Sequence, residues 1–494
     1  MSVFKKFAGQ TLIYGISTIF SRLFNFILTP IFTRTYPAAA YGILTKMFSY
    51  ASLINAILAL GMETTYFRYL NKHEDQKQMV YNNTFFAVFG ISVMFLITGL
   101  VFTDPITHFI VNESTASFED QKLYVQIFIW LLFIDAITLI PFAKLRADNR
   151  PYKYSLLKFI NIFLFVAFNL IFIYVIPALL EAKIGVDFFG SWYREKWIGY
   201  VFISNIIASV VTFLLLIPEF LQLELKFDKR LFKNMLGYSW PILVANLSFI
   251  INENLDKILL DKYSTETQVG IYGAVCKIAI FMSIFNTAFR LGAEPFFFSY
   301  AKKENAKQTY AIILEYFVIA LALLLVGLVA NIEILKYFIS RDKANIAEYW
   351  SGLPAVPYLL LGYVCLGIYM NLSVWYRLSD QTKFGLYISL IGAFITITFN
   401  IILIPKYGYM ASAWVSLATY SSMMIISYVL GQKYYPIPYK LKSISLYLIS
   451  SIIIVWISFY VLDRNIYYGN LLFLMYAGFI YYLERHNLKK LIRS

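Results

Sequence analysis

The sequence predicts an all-α integral membrane protein with about fourteen transmembrane helices, on three observations. The first is composition. Of 494 residues, 60% are hydrophobic and 14% charged, and the mean hydropathy is +0.66. Soluble domains carry roughly 25% charged residues, and a water-soluble core of this size would leave much apolar surface uncovered. The second is the recurrence of apolar runs long enough to cross a bilayer, about 20 residues each. The third is a likeness between the two halves of the chain at one fixed offset.

Candidate spans fall near 8–32, 41–63, 82–102, 123–145, 154–178, 197–219, 235–258 and 269–289, then near 310–330, 354–376, 383–404, 410–430, 443–461 and 469–484. The first run is too long for a signal-peptide core, and no small-residue cleavage site closes it. The longest connections, 103–122 and 331–353, have no room for a soluble domain. With a cytoplasmic N-terminus, about 27 Lys/Arg fall in cytoplasmic segments, about 12 outside and about 3 within spans. The strongest cytoplasmic cluster is Lys144, Arg146, Arg150 and Lys153, and an even span count returns the C-terminus to the cytoplasm. The formal charge of +14 is therefore read as loop charge that sets topology, not as a nucleic-acid surface. Cys276 and Cys365 lie in apolar runs and imply neither a disulfide framework nor a metal cluster. His73, His108 and His486 lack ligand spacing.

The internal likeness is gapless. Tyr41-Gly42, Lys46, Ser52 and Asn55 recur 231 residues on as Tyr272-Gly273, Lys277, Ser283 and Asn286. Leu60-Gly61-x-Glu63 recurs as Leu291-Gly292-x-Glu294, and Phe67, Tyr69 and Lys72 as Phe298, Tyr300 and Lys303. These are eleven identities over positions 41–72, where chance gives about two or three. Arg146 and Phe168-Asn169 recur as Arg377 and Phe399-Asn400. An offset of six spans keeps both copies in the same orientation. It predicts two six-helix lobes about a central cavity, related by a pseudo-twofold along the membrane normal. The expected organisation is an N-terminal lobe over 1–230, a C-terminal lobe over 231–440, and two further helices with the tail over 441–494. That architecture belongs to transporters that rock between two open states.

At these residues the chain resembles the polysaccharide (O-antigen type) flippases of the multidrug/oligosaccharidyl-lipid/polysaccharide exporter superfamily. The carrying segments are Leu28-Thr29-Pro30 through Tyr41-Gly42, Leu60 through Tyr69, Val269 through Gly273, and Asn400 through Gly408. Where the family usually continues into a Gly-Ala-Ala run, this chain has Met410-Ala411-Ser412-Ala413. The resemblance implies a flippase that moves an undecaprenyl-pyrophosphate-linked oligosaccharide across a bacterial inner membrane by alternating access. It implies the lipid-linked substrate and the bilayer as partners, with a polysaccharide polymerase as a possible third, and a monomer as the working form. No cofactor is expected, and the coupling ion, H+ or Na+, stays open. Related lipid II flippases also have two extra helices, associated with a groove for the lipid tail, so the last two spans invite that comparison.

Charge inside a bilayer costs about 2.5–3.5 kcal/mol per residue on insertion scales and usually faces a cavity or a partner. The first span carries Tyr14, Thr18, Arg22, Asn25 and Thr29 at helical spacing on one face. The seventh carries Asn246, Glu253, Asp256 and Lys257, and the fourth Asp135. Arg22, Lys46 and Lys277 are candidates for a cationic lining that receives the pyrophosphate. Against this, both lysines lie near helix ends and are able to snorkel, and Arg22 suits a structural ion pair. Asp135, Glu253 and Asp256 are candidates for gating or coupling, and Tyr14, Thr18, Asn25 and Asn246 for polar lining. Arg22 and Glu253 share a repeat position, which suggests a latch between lobes. Intralobe pairing of Glu253 with Lys257 and of Arg22 with Asn25 is the alternative. Glu63 and Glu294, at cytoplasmic ends, are read as packing or loop anchors. For Arg146 and Arg377 the readings are topology or contact with anionic head groups. A multispanning glycosyltransferase or ligase is disfavoured, because the external loops lack paired catalytic carboxylates. A lipid II flippase and a multidrug exporter of the same fold remain as alternatives.

Overall fold

The computed structural model describes residues 27–111, 115–301, 303–340, 345–379 and 381–493. Tyr14, Thr18, Arg22 and Asn25, and with them the expected link from Arg22 to Glu253, lie outside the described residues. Among the described residues twelve helices are long and apolar enough to cross a membrane. Gly199–Leu215 is a shorter apolar helix. The described residues contain no β-strand, in keeping with a bilayer interior, where each backbone N–H must bond within its own segment.

Two compact units divide the chain, residues 1–270 and 271–494. The first holds α1 (Ala38–Ala59), α2 (Met62–Lys72), α3 (Lys77–Val101), α4 (Phe118–Ala147), α5 (Pro151–Leu170), α6 (Gly199–Leu215) and α7 (Lys229–Tyr263). Local signals set the boundaries. Ser117 caps α4 by accepting a bond from the Asp120 N–H at 3.2 Å, and Asp228 caps α7 through the Arg230 and Leu231 N–H groups. Pro151 opens α5, where its missing N–H costs nothing. Between α1 and α2 the chain breaks at Leu60-Gly61, both left-handed (φ 51° and 67°). A Cβ on Gly61 would stand 2.8 Å from the Ser239 carbonyl oxygen, so backbone conformation and the close approach of α7 both require glycine there. Near its start, α1 meets the first turn of the helix that follows α7, backbone to backbone. A Cβ on Gly42 would lie 1.9 Å from the Glu266 carbonyl oxygen, and one on Gly270 1.8 Å from that of Ala38, the small-residue packing that lets membrane helices touch.

The second unit contains most of α8 (Glu266–Tyr300), then α9 (Ala306–Ala330), α10 (Val356–Leu372), α11 (Lys383–Tyr407), α12 (Tyr409–Tyr434), α13 (Leu441–Trp456) and α14 (Ile466–Arg493). α12 packs against both α10 and α11. α13 and α14, outside the repeat, pack on α9 and are fastened there by polar contacts at both ends. At one end Lys440 reaches the buried Glu315 at 2.9 Å, and the buried Glu484 accepts the Tyr447 and Tyr316 hydroxyls at 2.5 and 3.4 Å. At the other, the Asn331 and Asn470 amides bond reciprocally at 3.1 and 3.0 Å. Such contacts matter in lipid, where apolar burial alone gives little helix–helix attraction.

The repeat is visible in bonds as well as in letters. Arg146 pairs with Glu63 and Arg377 with Glu294, each pair 83 residues apart and each inside its own unit. Asn169 and Asn400, both fully buried, donate to the carbonyls four residues back, Phe165 and Thr396, each at 2.7 Å.

Candidate functional site: a charged cavity within the first unit

Five helices of the first unit line a cavity of about 440 Å³. α4 contributes Asp135, Thr138 and Arg146, and α5 contributes Tyr154, Lys158 and Asn161. From α6 come Asn205, Ser209 and Thr212, and Asn55 and Glu63 complete the polar lining. Asp135 sits twelve residues before the end of α4, about 18 Å along the helix axis, far inside an apolar segment. Its carboxylate opens onto the cavity and accepts the Ser209 hydroxyl at 2.9 Å. Lys158 holds its ammonium 4.2 Å from the centre of the Phe142 ring, a cation–π contact that offsets part of its desolvation. Neither Asp135 nor Lys158 forms an ion pair among the described residues. Glu63 and Arg146 close one side by pairing with each other, and Asn161 donates to Thr212 Oγ1 at 3.0 Å. The formal charges, Asp135 and Glu63 against Lys158 and Arg146, sum to zero.

A second polar cluster lies beside the Gly42–Gly270 crossing. The fully buried Lys46 ammonium sits 3.1 Å from Asp261 and 3.0 Å from Glu266, whose side chains are about 4% exposed. Glu266 also accepts from the Thr115 N–H and hydroxyl at 3.2 and 3.3 Å. This differs from the cationic lining expected at Lys46: its charge is enclosed and met by two carboxylates of the chain itself. Lys277, its repeat mate, is half-buried in the second unit. On α7, Lys257 pairs with Asp256 at 2.8 Å and donates to the Glu253 main-chain carbonyl at 2.6 Å. Asn246 is exposed on the same helix. Glu63 and Glu294, read as anchors, each hold the arginine that follows the fourth or tenth span.

The sequence reading missed Lys158, Ser209, Asp261 and Glu266. Lys158 had a usable signal, a charge one turn into an apolar run, on the helix after Asp135 and opposite to it in sign. Asp261 and Glu266 flank a helix end, where acids are ordinarily solvated, so nothing local marked them.

The helix order and the repeated Arg–Glu and asparagine bonds describe a helical membrane protein whose two units share local contacts. The solved structure of the lipid II flippase MurJ in its inward closed conformation superposes with a TM-score of 0.72 at 16% identity, covering 95% of this chain and 99% of that one. An inward-facing multidrug resistance MATE transporter superposes with a TM-score of 0.64 at 15% identity, covering 87% and 95%. The sequence profile described as polysaccharide biosynthesis protein matches residues 7–289, and the MatE profile matches 241–402. The chain belongs to the polysaccharide biosynthesis protein family, within the superfamily that also holds the MATE exporters. An uncharacterized membrane protein of Methanocaldococcus jannaschii is 24% identical over 430 residues, 81% of this chain and 79% of that protein. The Lsg locus putative protein 1 of Haemophilus influenzae is 21% identical over 310 residues, 62% and 68%.

Proposed function

We propose that this membrane transporter is a flippase for a polyprenyl-pyrophosphate-linked oligosaccharide, working by alternating access in the bacterial cytoplasmic membrane with both termini inside. The observation that carries the reading is the cavity around Asp135 and Lys158. Two opposite charges and several amides are held open among apolar helices, in the part of the chain that the polysaccharide family profile covers. Maintaining unpaired charge there is costly, and a polar cargo that must cross the bilayer accounts for it. On this reading residues 1–230 and 231–440 form the two rocking lobes, and 441–494 adds two helices clasped to α9. Arg22 and Lys277 receive the pyrophosphate, and Tyr14, Thr18, Asn25 and Asn246 line its route. Lys46, with Asp261 and Glu266, acts as a gate tie, while Glu253 and Asp256 serve coupling to H+ or Na+.

The test is complementation of two strains, one lacking its oligosaccharide flippase and one its lipid II flippase. Expression of this chain should restore surface polysaccharide in the first and leave the wall defect of the second. Rescue of the wall alone would replace the cargo by lipid II. Drug resistance without either rescue would make the protein a multidrug exporter.

A further inference from the structure

We propose that the first-unit cavity is a sugar subsite, taking a hydroxyl- and amide-bearing ring of the cargo and not its pyrophosphate; the proposal rests on the flippase reading above. Donors and acceptors separate the two kinds of cargo. A pyrophosphate only accepts hydrogen bonds and carries negative charge, so its site should present donors and cations. The Asp135 carboxylate, facing the cavity, would repel it. An organic cation asks for the reverse, and Lys158 would repel that. A sugar hydroxyl both donates and accepts, and this lining offers both. Asp135 accepts, the Lys158 ammonium donates, and the Asn161 and Asn205 amides do either.

Charge balance points the same way. Glu63 and Arg146 neutralise each other, leaving one carboxylate and one ammonium across the cavity. Tyr154 adds an aromatic wall for the apolar face of a ring. The volume of about 440 Å³ lies within the range of small-molecule sites and holds a ring with its substituents. Ser209 fixes the Asp135 carboxylate at 2.9 Å, so one acceptor is held in place before the ligand arrives, which lowers the ordering cost of binding. Asp135, expected from the sequence to serve coupling, is thereby assigned to cargo recognition.

The experiment measures equilibrium binding to the full chain in lipid nanodiscs, free of sugar-headed detergents that would compete. The probes are undecaprenyl pyrophosphate and the same lipid carrying a single glucose, galactose or N-acetylglucosamine. At least one glycosylated lipid should bind about tenfold or more tightly than the bare pyrophosphate, as one added charge-assisted hydrogen bond allows. Asp135→Asn and Lys158→Gln should each erase that advantage, while the affinity for the bare lipid moves in opposite directions, up for Asp135→Asn and down for Lys158→Gln, through the cavity's field. Ser209→Ala, which keeps every charge, should reduce that advantage severalfold and guards against misfolding of the charge variants. Sugar preference kept in both variants, with Lys158→Gln weakening and Asp135→Asn strengthening bare and glycosylated lipid alike, would assign the cavity to the pyrophosphate and overturn the sugar subsite, leaving the flippase reading intact. A native protein that binds bare lipid without any sugar preference would likewise overturn it. Failure to bind any of these lipids would overturn the flippase reading itself.

Discussion

The two units carry the same Arg–Glu bridge and differ in what lines the helices beside it. In the first, Asp135, Thr138, Tyr154, Lys158 and Asn161 line a charged cavity. At the corresponding positions of the second stand Leu366, Tyr369, Gly385, Ser389 and Gly392. Leu366 is 2% exposed, and the Tyr369 hydroxyl meets that of Tyr376 at 3.4 Å in a buried setting. Gly385 leaves room for the Tyr376 ring, which a Cβ there would approach to 3.1 Å. Backbones diverge too: Leu60-Gly61 breaks its helix, whereas Leu291-Gly292 lies within the unbroken α8. The shared bridge marks a contact that both copies keep. The unshared charges mark what one copy has been given beyond that, and function is sought where the copies differ.

Transplanting residues between the units tests this most severely. Asp135→Leu with Lys158→Ser gives the first unit the second unit's residues. Loss of two charge-assisted contacts to cargo, about 1.5–3 kcal/mol each, should cut transport by about a hundredfold or more while folded yield holds. Leu366→Asp in the second unit should do the reverse. A carboxylate placed at a buried site without a partner costs about 2.5–3.5 kcal/mol on insertion scales and should lower the yield of monodisperse protein in detergent before transport is scored. Normal transport by the double variant would mean that the asymmetry between the units has no functional content.

A smaller contrast separates the repeat-related lysines. Lys46 is fully buried against Asp261 and Glu266, so Lys46→Met strands two carboxylates and should cost about 3–5 kcal/mol. Adding Asp261→Asn and Glu266→Gln should recover most of that loss. Lys277→Met, at a half-buried position, should shift thermal unfolding far less. Equal losses at the two positions would show that burial does not distinguish them.

The sequence made the fold legible because its signals are cumulative. Each span needs only length and hydropathy, and the repeat needs only letters at a fixed offset. Boundaries moved where local chemistry intervened, as at α2, which continues to Lys72 past the expected end near 63, since its polar face leaves the apolar run. The site was half legible. Asp135 stood out as a lone acid in an apolar helix, and Lys46 as a lysine in a span. Their partners did not, because Ser209 is an unremarkable residue in a membrane helix and Asp261 and Glu266 lie 215 and 220 positions from Lys46. Sequence spacing carries no information about contacts between helices so far apart along the chain.

The finest test concerns the bridges themselves. Arg146 and Arg377 are each 31% exposed, and their partners Glu63 and Glu294 are 40% and 35% exposed, so solvent screens both pairs and each should contribute only about 0.2–1 kcal/mol. Double-mutant cycles with Glu63→Gln and Arg146→Gln, and with Glu294→Gln and Arg377→Gln, isolate the two coupling energies from thermal or denaturant unfolding. The repeat geometry, with identical sequence separation and similar exposure, leads us to expect couplings equal within about 0.5 kcal/mol. Transport should separate the pairs where stability does not. Glu63 and Arg146 border the cavity, and breaking their pair frees either an uncompensated carboxylate or an uncompensated guanidinium into it. Glu63→Gln should therefore leave a net positive cavity and Arg146→Gln a net negative one, with opposite effects on affinity for the anionic cargo, while Glu294→Gln and Arg377→Gln move affinity little. Opposite signs at 63 and 146 place the cavity's field on the transport path. Matching signs there, or equal effects in both units, would reduce the first-unit bridge to the same structural tie as the second.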